Sequence, residues 1–128
     1  MTRINLIPPS ELTRPHLQGE YKEIARVFTL TRNAQNRGKN KWNYGIPTAY
    51  TMGTGHVKFF SDKLLFVLNR YHLICKEMID RGYNINPIPY KSLIEGIDKH
   101  WLNDYTPTQE AIEINKQRIA ERLKEMEI

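Results

Sequence analysis

The residues of this chain that offer chemistry lie on one helical face near its start. Gly19, Lys22, Glu23 and Arg26 set a single carboxylate between two cations, with a glycine that removes bulk beside them. The opposite face carries Leu17, Tyr21, Ile24 and Phe28 at the helical period, a stripe that requires a core. Other catalytic constellations are missing. There is no Walker loop and no HExxH, and His16, His56, His72 and His100 stand without ligand spacing, so no metal site is expected. No elbow motif supports a Ser–His–Asp triad. What remains is the amino terminus, Met1-Thr2-Arg3-Ile4-Asn5-Leu6, set against the Glu23 face.

Composition narrows the setting. A chain of 128 residues with 40% apolar content predicts one domain, residues 1–128, with a modest core. Its only cysteine, Cys75, rules out an internal disulfide and falls on an apolar helical stripe, where a buried inert thiol is expected. Pro8 and Pro9 interrupt the start before a signal sequence can form, and no apolar run is long enough for a membrane span. The expectation is a cytoplasmic protein with no membrane contact and no cofactor.

The net charge is +5, and its placement is uneven. From Ile24 to Ser61 there is no Asp or Glu, while Arg26, Arg32, Arg37, Lys39, Lys41 and Lys58 all fall there. These cations are interleaved with Trp42, Tyr44, Tyr50, Phe59 and Phe60. A one-signed field of this kind attracts a polyanion, and nucleic acid is the expected partner.

The elements that must position these residues read as all-α: three helices with long irregular loops. Residues 1–9 form an extended arm that something else must pin. The first helix runs from about Pro15 to about Leu30, with continuation possible to Gly38, and proline suits its first position. Residues 36–60 are loop, punctuated by glycines. Within them Gly53-Thr54-Gly55-His56 offers a backbone able to approach a phosphate. The second helix is capped by Ser61 or Asp62 and stopped by Gly82, with Leu64, Leu68, Tyr71, Cys75 and Met78 inward and Leu65, Ile74 and Ile79 widening the stripe. Residues 83–105 are loop again. Thr106-Pro107-Thr108-Gln109 reads as a capping box for a third helix, whose inward stripe is Ile112, Ile119, Leu123 and Met126.

Taken together, Met1-Thr2-Arg3-Ile4-Asn5-Leu6, Ser10-Glu11-Leu12, His16-Leu17, Glu20-Tyr21-Lys22-Glu23 and Arg26-Val27-Phe28 resemble the phage-type pyrimidine-dimer DNA glycosylase/AP lyases, the dimer-specific endonuclease V family. The likeness continues through Gly53-x-Gly55-His56-Val57-x-Phe59-Phe60-x-Asp62-Lys63-Leu64, Arg81-Gly82-Tyr83-Asn84-Ile85, Asp104-Tyr105-x-Pro107 and Arg118. The resemblance implies a DNA repair enzyme acting as a monomer on double-stranded DNA that carries pyrimidine dimers or abasic sites. It implies loss of Met1, attack by the α-amine of Thr2 on C1′, an imine with the sugar, and β-elimination. Glu23 would be the essential carboxylate. Arg3, Lys22, Arg26, Arg118 and Arg122 would grip a kinked duplex, and His16 and His56 join the expected DNA-binding set.

Elementary chemistry agrees with an amine at that place. An α-amine is neutral in about 10–20% of molecules at pH 7, and a lysine in about 0.04%. Neighbouring cations favour the neutral form further. Three departures from the family pattern stand out. Lys22 replaces arginine, Arg122 replaces lysine, and the family's aromatic, basic tail has no counterpart at Met126-Glu127-Ile128. The last of these leaves room for a different or broader lesion preference. A non-catalytic basic DNA-binding domain would explain the loop and the helices, but not Thr2 and Glu23.

Overall fold

The computed structural model describes residues 4–126, apart from the side chain of Met126. Every regular element among them is helical: α1 (Arg14–Glu23), α2 (Arg26–Asn36), α3 (His56–Phe59), α4 (Leu64–Asp80), α5 (Tyr90–Ile94) and α6 (Gln109–Met126). Single 3-10 turns at Pro9–Glu11 and Lys99–Trp101 complete the set. No helix of the described residues is long and apolar enough to cross a membrane.

The all-α class holds, while the first expected helix is two rods. The chain turns at Ile24 and Ala25, where the amide of Val27 bonds the Ile24 carbonyl at 3.2 Å. The reason is tertiary. Leu17 on α1, Ile24 at the joint, and Val27 and Phe28 on α2 are all buried, but α1 packs on α4 whereas α2 must meet both α4 and α5. Two rods satisfy both demands. Arg32 and Gln35 then tie α2 to the segment after α5: Arg32 donates to the carbonyls of Leu93 and Glu95, and Gln35 to that of Gly96. Arg32, counted above with the basic stretch, therefore works inside the fold.

The central helix is α4. Leu64, Val67, Arg70, Tyr71, Ile74, Cys75 and Met78 are buried along it, spaced by three and four residues. Leu65 and Ile79, expected to widen that stripe, are exposed. The helix begins at Leu64, not at a Ser61 or Asp62 cap, because a distant residue supplies the end group. The Asn103 carbonyl accepts from the Leu65 amide at 3.2 Å, and the Asn103 side chain bonds the carbonyls of Asp62 and His100. Gly82 ends the helix as expected. It adopts φ 90°, and the Tyr83 amide reaches back to the Met78 carbonyl. Helix α6 starts at Gln109, with the Thr108 hydroxyl accepting from the Ala111 amide at 3.1 Å, so Pro107 lies just outside it. Cys75 is buried, and burial pushes its thiol pKa up, as suits an inert residue.

Two apolar clusters meet along α1 and α4. One gathers Ile4, Ile24, Phe28, Tyr50, Phe59, Phe60 and Trp101, and the other Ile7, Leu12, Leu17, Ile74, Met78 and Ile119. The arm contributes to both.

Candidate active site

Residues 4–7 leave no regular structure, so each polar backbone group needs a partner from elsewhere. Ile4 is fully buried. Its amide donates to His56 Nε2 at 2.8 Å, and its carbonyl accepts from the Tyr50 hydroxyl at 3.3 Å. The Leu6 amide donates to Asn115 Oδ1 at 2.7 Å. The Ile7 carbonyl accepts from the Arg70 guanidinium.

A buried polar network lies beneath these contacts. Glu20 on α1 and Arg70 on α4 are 3% and 5% exposed. They form a two-pronged ion pair, Nε to Oε2 at 2.7 Å and Nη2 to Oε1 at 2.9 Å. Asn5 donates to Glu20 Oε1 at 2.7 Å and accepts from Asn115 of α6 at 2.8 Å. One carboxylate thereby links the arm, α1, α4 and α6. Ordering a residue's backbone costs roughly 1–2 kcal/mol. Burying Ile4 and Ile7 offsets that by about 1.5–3 kcal/mol each, and the charge-assisted hydrogen bonds add to it.

The arm has a direction. Ile7 shares a cluster with Leu17, Asn5 bonds Glu20, and Ile4 shares a cluster with Ile24. Read backwards, the arm therefore advances along α1 toward the end that carries Glu23. There Glu23 Oε2 pairs with Arg26 Nη1 at 2.9 Å across the joint between α1 and α2. A third of the Glu23 side chain is exposed, and Arg26 more than half. Lys22 is exposed on the same turn. Thr2 and Arg3, the other members of the expected site, lie outside the described residues.

His56, which bonds the Ile4 amide, also lines a cleft of about 290 Å³ with Met52, Gly53, Ile114, Gln117, Arg118 and Glu121. Arg118 pairs with Glu121 at 3.3 Å and Arg122 with Glu125 at 3.4 Å, both pairs along α6. The positions are therefore brought together in two groups. Lys22, Glu23 and Arg26 gather at the α1–α2 joint, and His56 and Arg118 around the cleft. His16 is apart from both. It bonds the Thr13 hydroxyl at the first turn of α1, about 10 Å along the axis from Glu23 at 1.5 Å per residue.

His56, expected in the DNA-binding set, turns into the protein. The residue is 2% exposed, with Nε2 bonded by the Ile4 amide at 2.8 Å and Nδ1 by the Thr51 carbonyl at 2.8 Å. Gly55 makes this inward turn possible. It adopts φ 94°, and a Cβ there would sit 3.2 Å from Pro47 Cγ. The glycine serves a tight turn against the protein's own proline.

Sequence reading missed Asn5, Glu20, Arg70 and Asn115 as site-building residues. A signal was present: Glu20 falls between Leu17 and Ile24, and Arg70 between Val67 and Ile74, each a charge on an apolar stripe. Such charges are buried only when paired.

Of the basic loop's aromatics, Tyr44 packs edge-on against Trp101 at 5.9 Å with the Lys58 ammonium 4.5 Å from its ring. Trp42 is 74% exposed. Among the described residues no cluster of His, Cys, Asp or Glu could hold a metal ion.

A protein-family model described as pyrimidine dimer DNA glycosylase matches residues 1–89, the stretch that holds the arm, Glu20, Glu23, His56 and Arg70. The match covers more than half of the chain, and the chain belongs to the pyrimidine dimer DNA glycosylase family, a class of DNA repair glycosylases.

Proposed function

We propose that this protein is a bifunctional glycosylase and AP lyase whose nucleophile is the α-amine of Thr2, exposed when Met1 is removed. The observation that carries the reading is the course of the arm, anchored at residues 4–7 and directed along α1 toward the end bearing Glu23. An amine delivered there would meet the one carboxylate of α1 that the core has not locked to Arg70.

The chemistry runs in balanced steps. The amine nitrogen bonds to C1′ of the lesion nucleotide as the glycosidic bond breaks, and the base departs with the electron pair. The amine gives up a proton, the sugar ring opens with a proton on O4′, and a protonated imine joins enzyme to C1′. Positive charge develops on the sugar as the base leaves, and the Glu23 carboxylate stabilises it, as carboxylates do in glycoside cleavage. The imine acidifies C2′. Glu23 accepts the C2′ proton, and the freed electron pair expels the 3′ phosphate. Water then hydrolyses the imine and restores the amine.

The cations contribute affinity. Lys22 and Arg26 at the joint, Arg118 and Arg122 on α6, and Arg3 neutralise phosphates, which makes binding steeply salt-dependent. A pyrimidine dimer strains its own stacking, so bending and base flipping cost less there than in intact duplex. The protein acts as a monomer on this DNA, in the cytoplasm.

Trapping tests the reading. Met-trimmed protein incubated with abasic or irradiated DNA and borohydride should yield a covalent adduct that peptide mapping places on Thr2. An adduct on a lysine, or incision with none, overturns the amine mechanism. Binding without incision leaves a DNA-binding module.

A further inference from the structure

We infer that His56 is a positioning residue that holds the N-terminal arm in its working register, and that it does so only as a neutral imidazole. The inference rests on the reading that the arm carries the nucleophile. It assigns His56 a task other than contact with DNA.

The hydrogen bonds settle which ring nitrogen carries the proton. A backbone amide can only donate, so Nε2, 2.8 Å from the Ile4 nitrogen, must accept. A backbone carbonyl can only accept, so Nδ1, 2.8 Å from the Thr51 oxygen, must bear the hydrogen. The ring is flanked by Tyr50 and Phe60, at centroid distances of 5.4 and 5.6 Å. Tyr50 also donates its hydroxyl to the Ile4 carbonyl, so ring and phenol grip both sides of one arm residue. Ile4 is the first described residue of the arm, two positions from Thr2. An error in its placement passes directly to the amine.

Protonation reverses this contact. A second proton on Nε2 would point at the Ile4 N–H, donor against donor, and histidine is the side chain that ordinarily titrates between pH 5 and 8. Among the described residues, the ionisable groups about the ring include the Tyr50 phenol and, lining the same cleft, Arg118 and Glu121, which pair with each other. A ring that gains this proton lets go of the arm, an effect separate from protonation of the amine.

The experiment compares wild type with His56→Leu, which removes the acceptor, and His56→Gln, whose amide oxygen replaces Nε2 but does not titrate. Three quantities are read: hydrogen-exchange protection of the Ile4 amide, the single-turnover rate on abasic DNA, and Kd for uncleaved DNA. The Leu variant should lose Ile4 protection and slow roughly 10–100-fold, the usual cost of a nucleophile displaced by about an ångström, with Kd unchanged. The Gln variant should recover both protection and rate, and should keep Ile4 protection in mild acid where wild type loses it.

Undiminished Ile4 protection in the Leu variant overturns the inference. So does a Kd that rises in step with the lost rate, since that marks a DNA contact. If the Leu variant does not fold, wild type and Gln decide the matter, and equal loss of protection in acid refutes it. A wild type that forms no borohydride adduct refutes the amine mechanism, while Ile4 protection still judges His56.

Discussion

Glu20 and Glu23 are one helical turn apart on α1, and they live in different worlds. Glu20 is buried, held by two prongs of Arg70 and by Asn5. Glu23 stands at the rim and pairs with the exposed Arg26. A buried carboxylate held on both oxygens cannot move without unravelling its partners. One at the rim can exchange partners at little cost, since exposed ion pairs contribute about 0–1 kcal/mol. On the proposed mechanism, building and reacting are divided between two identical side chains 4–5 Å apart along the helix, at 1.5 Å per residue.

The strongest way to break this comparison is to neutralise both carboxylates in turn. Glu23→Gln should slow base release by roughly 10²–10⁴-fold, the range for a lost acid–base or charge-stabilising group, with DNA affinity and melting temperature nearly unchanged. Single-turnover kinetics beside a binding isotherm would show it, and parallel losses of rate and affinity would contradict the division.

Glu20→Gln or Arg70→Ala should act on the fold first. Removing one partner of a buried pair costs about 3–5 kcal/mol. For a chain of this size that lowers the melting temperature on the order of 10–20 °C, measurable by calorimetry. A Glu20→Gln protein as stable as wild type would mean that the network is decoration.

The surface cations should respond more gently. Arg118→Gln and Arg122→Gln should each weaken binding across all sequences and lower the slope of log affinity against log salt by about 1. Retention of the full slope would remove α6 from the DNA interface. The smallest effect is expected at Gly19, where a Cβ would meet nothing within 4 Å. Gly19→Ala should stabilise the protein by about 0.5–1 kcal/mol in thermal melts. If duplex backbone presses on that face, the same variant binds DNA less tightly.

Much of the fold was legible from periodicity. The stripe Leu17, Ile24, Phe28, the run along α4 and the Gly82 stop are local signals, and the chain obeys them. What could not be read depended on partners far along the chain. The start of α4 is set by Asn103, and the division of the first helix by what α1 and α2 each pack against. The site shows the same split. Glu23, Lys22 and Arg26 are close in sequence and were found together. The link from Asn5 to Asn115 spans 110 positions, and the link from Glu20 to Arg70 spans 50. Only charges standing in apolar stripes hinted at them. His56 was legible as a residue that matters, but its side chain points inward, because Gly55 turns the chain there.

Asn115 has an implication for anyone who recombines this sequence. It lies beyond residue 89, where the family match ends, yet it closes the contacts of Asn5 and Leu6. A fragment cut at that boundary would leave the arm's amides with water in place of α6. The arm and α6 form a single mechanical unit, and transplanting the front half alone would carry the arm without its latch.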